Sequence, residues 1–326
     1  MAESDLKSRF CDHVIGTVVP VLAMFKESGS LDEEAISDYV EFLIGCGVQT
    51  VMCTVGTSRY DVLSVPEMLQ VNKVVAQSAK GRATVIVTTP SIGPTDQAVE
   101  FARAASRDGA DAIIAVYPDR YYGDEPIARF FQEVAHSTDI GVLIHEMPIR
   151  AGRAFEAPSV QYSRALVERI LGYPNVVGLK EESGNSEVIE QLSTAFANRH
   201  AIIGGRGGMA AHLGARQYGQ VAYLAGVGNF APAVELKFAQ LVAAGRNDEA
   251  RAIVENYEKP FFDIAVNLGW HPALREAMAM ADLCPPFERQ PMMRLAPEER
   301  RKLEAITTKI VNFGEVCAAG EEVVST

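Results

Sequence analysis

The chain has 326 residues, 48% of them hydrophobic, and a formal charge of −12 from 30 Lys plus Arg against 42 Asp plus Glu. That length and apolar fraction support one large core with a small appendage, and the acidic balance opposes nonspecific binding to nucleic acid or to an anionic membrane surface. Five scattered cysteines without a CxxC pair give neither a disulfide framework nor a zinc pattern. Met1-Ala2-Glu3-Ser4-Asp5 has no basic-then-apolar leader and no stretch approaches ~18 uninterrupted apolar residues, so the expected setting is the cytoplasm, with no membrane span.

Short β-branched runs alternate with amphipathic helical stretches, the pattern of βα units around a parallel sheet. Strands are predicted at Gly16–Pro20, Thr50–Val55, Ala83–Thr88, Ala112–Tyr117, Gly141–His145, Val176–Lys180, Ala201–Gly204 and Val221–Ala225. Helix starts are marked by Ser30 or Asp32 ahead of Glu33-Glu34, and by Thr95-Asp96 ahead of an Ala-rich stretch. Eight such units predict an α/β fold, a (β/α)8 TIM barrel over residues 13–245. The competing doubly wound sheet often carries a phosphate-binding first turn, and Pro20-Val21-Leu22-Ala23 has no glycines for one. After Pro232 the strand signals stop. Helical stretches at Pro232–Ala244, Asn247–Leu268, Pro272–Ala281 and Pro297–Asn312 predict a C-terminal helical appendage, residues 246–313, followed by a frayed tail at 314–326.

In such a barrel, residues at the C-terminal ends of strands converge on one site. Strand two ends in Gly56-Thr57-Ser58, strand four runs into Tyr117 to Tyr122, strand five into His145-Glu146-Met147-Pro148-Ile149-Arg150, strand six ends at Lys180, and strand seven opens into Gly204-Gly205-Arg206-Gly207-Gly208. An amine held against an apolar strand end sheds solvation, which favours its neutral, nucleophilic form; a lysine that merely snorkels beside Glu181 and Glu182 is the structural alternative. With an imidazole, hydroxyls and guanidinium groups around it, the set suits a 2-keto acid. The amine forms an imine at the ketone, hydroxyls hold the carboxylate, and an acid/base group moves protons.

Val177-Gly178-Leu179-Lys180-Glu181-Glu182-Ser183-Gly184-Asn185, Gly56-Thr57-Ser58, Pro148-Ile149-Arg150-Ala151-Gly152 and Asn229-Phe230-Ala231-Pro232 resemble, in order, motifs of the dihydrodipicolinate synthase / N-acetylneuraminate lyase family. The resemblance runs from Gly16 to at least Pro286. It implies a class I aldolase that needs no cofactor, because Lys180 itself forms the Schiff base with pyruvate or a related 2-keto acid. It further implies Thr57 and Ser58 at the substrate carboxylate, Thr57 also among the catalytic residues, and Arg150, Gly205, Arg206 and Leu224 among the substrate contacts. A homo-oligomer, dimer or tetramer, is implied too, with one tyrosine contributed across its interface: Tyr121 or Tyr122 if Asp119-Arg120 is an insertion, and none in an ungapped register.

Three departures bear on which reaction is run. His145 stands where the family has a proton-relay tyrosine, either as a relay that titrates near neutrality or as a filler of the same space. Arg59-Tyr60 replaces Gly-Glu, so that Arg59 either meets a second substrate carboxylate or pairs with Asp61 or Glu146. Arg206 stands where many relatives have aspartate, and with backbone N–H groups at a helix start it would suit an acidic distal group. A 2-keto-3-deoxy sugar acid dehydratase and a non-catalytic keto-acid-binding barrel are the alternatives to a lyase. Cys46 and Cys53 are expected to be core thiols, and His271 a helix cap.

Overall fold

The computed structural model describes residues 3–118, 120–150 and 159–320. Eight parallel strands close into a barrel: β1 (Gly16–Val21), β2 (Thr50–Cys53), β3 (Thr84–Thr88), β4 (Ala112–Ala115), β5 (Gly141–Glu146), β6 (Val176–Glu181), β7 (Ala201–Gly204) and β8 (Ala222–Leu224), with β8 pairing back onto β1. Every predicted strand is present, and Val55 and Tyr117 have already left their strands for the loops. Between β5 and the next helix lies a two-stranded ribbon that sequence reading did not anticipate, Ile149–Arg150 against Ser159–Val160.

Alternation along the strands sorts side chains into two layers. Val18, Met52, Ile86, Ile114, Leu143, Val177, Ile203 and Leu224 fill the barrel interior. Val51, Val85, Ile113, Ile144, Leu179 and Ile202 face the surrounding helices. A helix at Glu3–His13, outside the predicted barrel boundary, adds Phe10 and Val14 to the interior cluster, and its Lys7 Nζ donates to Leu171 O at 2.9 Å.

One irregularity in β6 positions the site. Val142 of β5 pairs with Val176, but Leu143 pairs with Gly178, leaving Val177 as an extra residue. Val177 is interior and Leu179, two residues on, is exterior. The bulge therefore inverts the alternation and turns Lys180, paired with His145, to the inside. Gly178 is required at this point, since a Cβ there would lie 2.1 Å from Ala201 O, a main-chain atom of the neighbouring strand. Gly178→Ala should lower the unfolding free energy by about 3 kcal/mol or more, read from denaturant midpoints; a change below ~1 kcal/mol would show that β6 and β7 can separate at no cost.

After β8, Asn229 Nδ2 donates to Pro20 O at 2.6 Å and Tyr39 Oη donates to Asn229 O at 2.8 Å, tying the loop after β8 to the end of β1. Helices Pro232–Ala243, Asn247–Ile253, Lys259–Leu268, Trp270–Met280 and Pro297–Ala318 follow, with a π turn at Val254–Glu258 joining the second and third. Leu274, Leu303, Ile306 and Ile310 belong to the same core as the barrel helices, so the appendage is packed onto the barrel. The frayed tail expected from Gly314 is corrected. The last helix runs on to Ala318, with Gly314 against Val234 of the helix Pro232–Ala243 and Phe313 stacked on Tyr257 of the π turn, while residues 321–326 lie outside the described ones. Among the described residues no helix is long and apolar enough to cross a membrane.

Candidate active site

Lys180 is 2% exposed, and its Nζ lies 3.3 Å from His145 Nε2. Both groups meet Glu182: its Oε2 accepts from Lys180 Nζ and lies 2.7 Å from His145 Nε2. Sequence reading had noted Glu182 only as a neighbour of Lys180. The signal was available, because a residue two positions along an extended segment returns to the same face as the first. Burial alone would raise the Glu182 carboxyl, but the hydrogen bond from His145 and the charge of Lys180 outweigh it and hold the group down to about 2. Burial lowers the His145 ring below its ordinary value, Lys180 adds to this, and Glu182 opposes it without reversing it. A neutral ring beside an ionised carboxylate keeps its proton on Nε2, donated to Glu182. Nδ1 is then the free acceptor, and it has no hydrogen-bond partner among the described residues.

The dyad faces a cavity of about 150 Å³ at the C-terminal mouth of the barrel, with Lys180 and His145 in its wall. Strand ends and the loops after them supply the rest: Thr54, Val55, Gly56 and Tyr60 after β2, Thr88, Thr89 and Ser91 at and after β3, Ile114, Val116 and Tyr117 at β4, Met147 and Ile149 after β5. Most of these were not among the predicted residues; the strand-end rule that found Lys180 applies equally to Thr88-Thr89, where it was not used. Thr54 holds a left-handed backbone, φ 53°, and its hydroxyl donates to Asn72 Oδ1 at 2.7 Å, which anchors this strained corner.

The predicted residues are distributed unevenly around the cavity. Of the Gly56-Thr57-Ser58 turn, Gly56 lines the wall, Thr57 is half-buried, and the Ser58 hydroxyl is buried without a partner among the described residues. Gly205 lies over the amine: a Cβ there would come 3.0 Å from Lys180 Nζ, so glycine leaves space around the amine. Leu224 is part of the barrel interior. Tyr121 is packed at the protein core's edge and donates to Asp124 Oδ1 at 2.8 Å, while Tyr117 reaches the cavity of its own chain. The Arg150 side chain and residues 151–152 lie outside the described residues.

Both distinctive arginines are placed away from the cavity wall. Arg59, φ 67° and 1% exposed, pairs with Asp61 at 2.6 Å and approaches Glu288, which also binds Arg275. Of the two sequence alternatives, the structural pair with Asp61 is the one present. Glu146, the other suggested partner, is fully buried with neither carboxylate oxygen bonded among the described residues, and burial with the nearby Glu181 charge pushes it up to about 7. Arg206 is exposed beside Gly184. The helix start it was expected to share with an anionic ligand is already occupied, since Met209 N and Ala210 N donate to Glu258 at 2.6 and 2.8 Å. The Glu258 carboxyl of the π turn thus takes the place at the helix start that the Gly-rich turn offers, while burial and the nearby Glu235 push it up to about 8. His271 does not cap its helix; its Nε2 donates to Gly56 O at 3.0 Å and ties the appendage to the cavity edge.

The fold matches solved structures along nearly its whole length. A sialic acid aldolase from Ruminococcus gnavus superposes with a TM-score of 0.82 at 20% identity, covering 93% of this chain and 98% of that one. N-acetylneuraminate lyase from Fusobacterium nucleatum gives 0.81 at 18% identity (92% and 99% covered), and dihydrodipicolinate synthase from Oceanobacillus iheyensis 0.78 at 22% (93% and 98%). Among sequence relatives, proteins named 4-hydroxy-tetrahydrodipicolinate synthase from Alcanivorax borkumensis and Laribacter hongkongensis are each 28% identical. The first covers 77% of this chain and 82% of the relative, the second 89% and 96%. Residues 13–310 match the model of the dihydrodipicolinate synthetase family, and the chain, a divergent (β/α)8 barrel by these identities, belongs to that family.

Proposed function

We propose that the protein is a Schiff-base-forming carbon–carbon lyase acting on pyruvate or a related 2-keto acid, with the covalent bond to Lys180 in place of any cofactor. The observation that carries this reading is the contact of a nearly inaccessible lysine amine with both Glu182 and His145 at the wall of a closed-in cavity. One structural neighbour, the Ruminococcus gnavus sialic acid aldolase, was solved as a catalytic lysine mutant, which agrees with a lysine-centred reaction.

Nucleophilic attack needs the amine free of its extra proton, and both the Glu182 carboxylate and the His145 ring touch that amine. Attack on the ketone and loss of water give the imine. His145, whose Nε2 lies 3.3 Å from the amine, then has the reach to move a proton at the carbon next to the imine. The Ser58 hydroxyl and Thr57, on the turn at the cavity edge, are the proposed carboxylate holders. The biosynthetic activity named for the sequence relatives is set aside, because His145 stands where the resemblance expects a relay tyrosine and shares Glu182 with Lys180.

Borohydride reduction in the presence of pyruvate tests the reading. A stable mass increase of one reduced pyruvyl group should appear on the peptide containing Lys180. An unmodified Lys180 across a panel of 2-keto acids would exclude imine chemistry and leave a binding barrel.

A further inference from the structure

The turn after β2 is fastened at its start, middle and end, and the three fastenings come from the C-terminal appendage. His271 Nε2, 215 positions along the chain, donates to Gly56 O at 3.0 Å. Glu288 lies 3.9 Å from Arg59 Nε and accepts from Arg275 Nε at 3.3 Å. Arg289 donates to Val62 O at 3.0 Å, and the same guanidinium reaches Gly29 O at 2.7 Å and Glu67 at 2.8 Å. Arg275 also donates to Ala23 O, and Ala23 N donates to Ser58 O at 3.0 Å, which fixes Ser58 from behind. The side chains of Arg59, Arg275 and Glu288 are each 1% exposed. Their two positive charges are balanced by Glu288 and the half-exposed Asp61, and moving any of the buried members would leave an uncompensated charge away from water. Arg59 holds φ 67°, a backbone that arginine seldom adopts, under these contacts.

Resting on the reading above that Thr57 and Ser58 hold the substrate carboxylate, we infer that Arg59, His271 and Glu288 are positioning residues that fix this turn so that its hydroxyls meet the carboxylate. Thr57 and Ser58 lie between the fastenings at Gly56 and Arg59, and Gly56 and Tyr60, on either side of them, reach the cavity wall. Arg59, His271 and Glu288 themselves are not among the residues that line the cavity, so they act through the turn. Lys180 is held independently, on β6, by Glu182 and His145. Loosening the turn therefore weakens capture of the keto acid and leaves the amine as it is, and the appendage becomes part of the binding site.

The test uses the full-length protein and borohydride trapping on Lys180 over a range of pyruvate concentrations, with thermal unfolding to identify the variants that fold. His271→Leu removes the donor to Gly56 O, His271→Gln returns an N–H donor of similar reach, and Glu288→Gln removes the carboxylate between the two arginines. In His271→Leu the pyruvate concentration for half-maximal trapping should rise by at least about tenfold while the maximal trapping rate stays within about threefold of the parent, as expected for a displaced turn beside an intact amine. His271→Gln should bring the half-saturating concentration back to within about threefold, and folded Glu288→Gln should show the same rise as His271→Leu. An unchanged half-saturation in His271→Leu or in folded Glu288→Gln, or a loss confined to the maximal rate, overturns the positioning role and leaves the lyase reading intact. A rise that His271→Gln does not reverse assigns the effect to side-chain shape rather than to the hydrogen bond, and overturns it too. Failure of the parent protein to trap pyruvate at Lys180 removes the lyase reading and this inference with it.

Discussion

A Lys180→Met protein should fold and lose turnover by at least about 10³-fold, since among the described residues no other lining side chain carries an amine that can form the imine. Methionine matches the length and apolar stem of lysine, so the packing around this buried stem is kept. The Glu182–His145 contact at 2.7 Å does not involve the amine and should survive. Thermal unfolding then checks that the fold is intact, and borohydride with pyruvate should add no mass to the peptide. Residual activity within tenfold of the parent would show that the reaction does not pass through Lys180, and the lyase reading would have to be given up.

Glu182→Gln should lower kcat/KM by about 10²- to 10⁴-fold, the range attributed to a positioned proton-transfer group. Glutamine keeps an acceptor oxygen for Lys180 and His145 but carries no charge to hold the amine and the ring in place. It also removes a negative charge that supports the protonated form of His145, so the ring, already held low by burial, should move lower still. Any limb of the pH–rate profile that belongs to His145 is therefore expected to shift toward lower pH. A purely structural Glu182 would not produce this shift. Glu182→Asp should recover part of the rate, because the charge returns at a slightly shorter reach. A Glu182→Gln enzyme within about threefold of the parent in both trapping rate and turnover would reduce this carboxylate to a neighbour of the site.

Glu182 is held down to about 2, so it stays ionised throughout the usual working range and contributes no acid limb of its own there. Its folded value lies below the ordinary carboxylate range, so the ion pair stabilises the folded protein above that ordinary range, and the contribution is lost as the pH falls toward 2. The site is thus poised by charge already present rather than by a group titrating near pH 7. Glu146, pushed up to about 7, is the exception, but it faces away from the cavity that His145 lines.

Much of the architecture was legible in the chain itself. Eight β-branched runs with helical stretches between them specify a parallel barrel, because each strand has to bury one face inside and one under a helix. The strand-end rule then placed Lys180 and His145 in one site, and the β5–β6 register confirms them as direct neighbours. The same rule was silent about charge. Arg59 and Arg206 looked like substrate contacts because both sit at strand ends, yet a left-handed turn sends Arg59 to Asp61 and Glu288, and Arg206 remains in solvent. Nor could local pattern show that Glu258, some fifty residues after the Gly-rich turn, would occupy its helix start, since that contact is made by a helix of the appendage.

What the sequence by itself determined is the barrel, its strand ends and the lysine at the end of β6, all of which follow from local periodicity and residue type. The tertiary structure decided which way that lysine points and what it meets. An uninterrupted alternation from the interior Val177 would have put Lys180 outside the barrel; the extra residue opposite Val142–Leu143, made possible by the bare Gly178, turns it inward onto His145 and Glu182. Side-chain direction in a strand depends on pairing register, and register is a relation between two segments that neither contains alone.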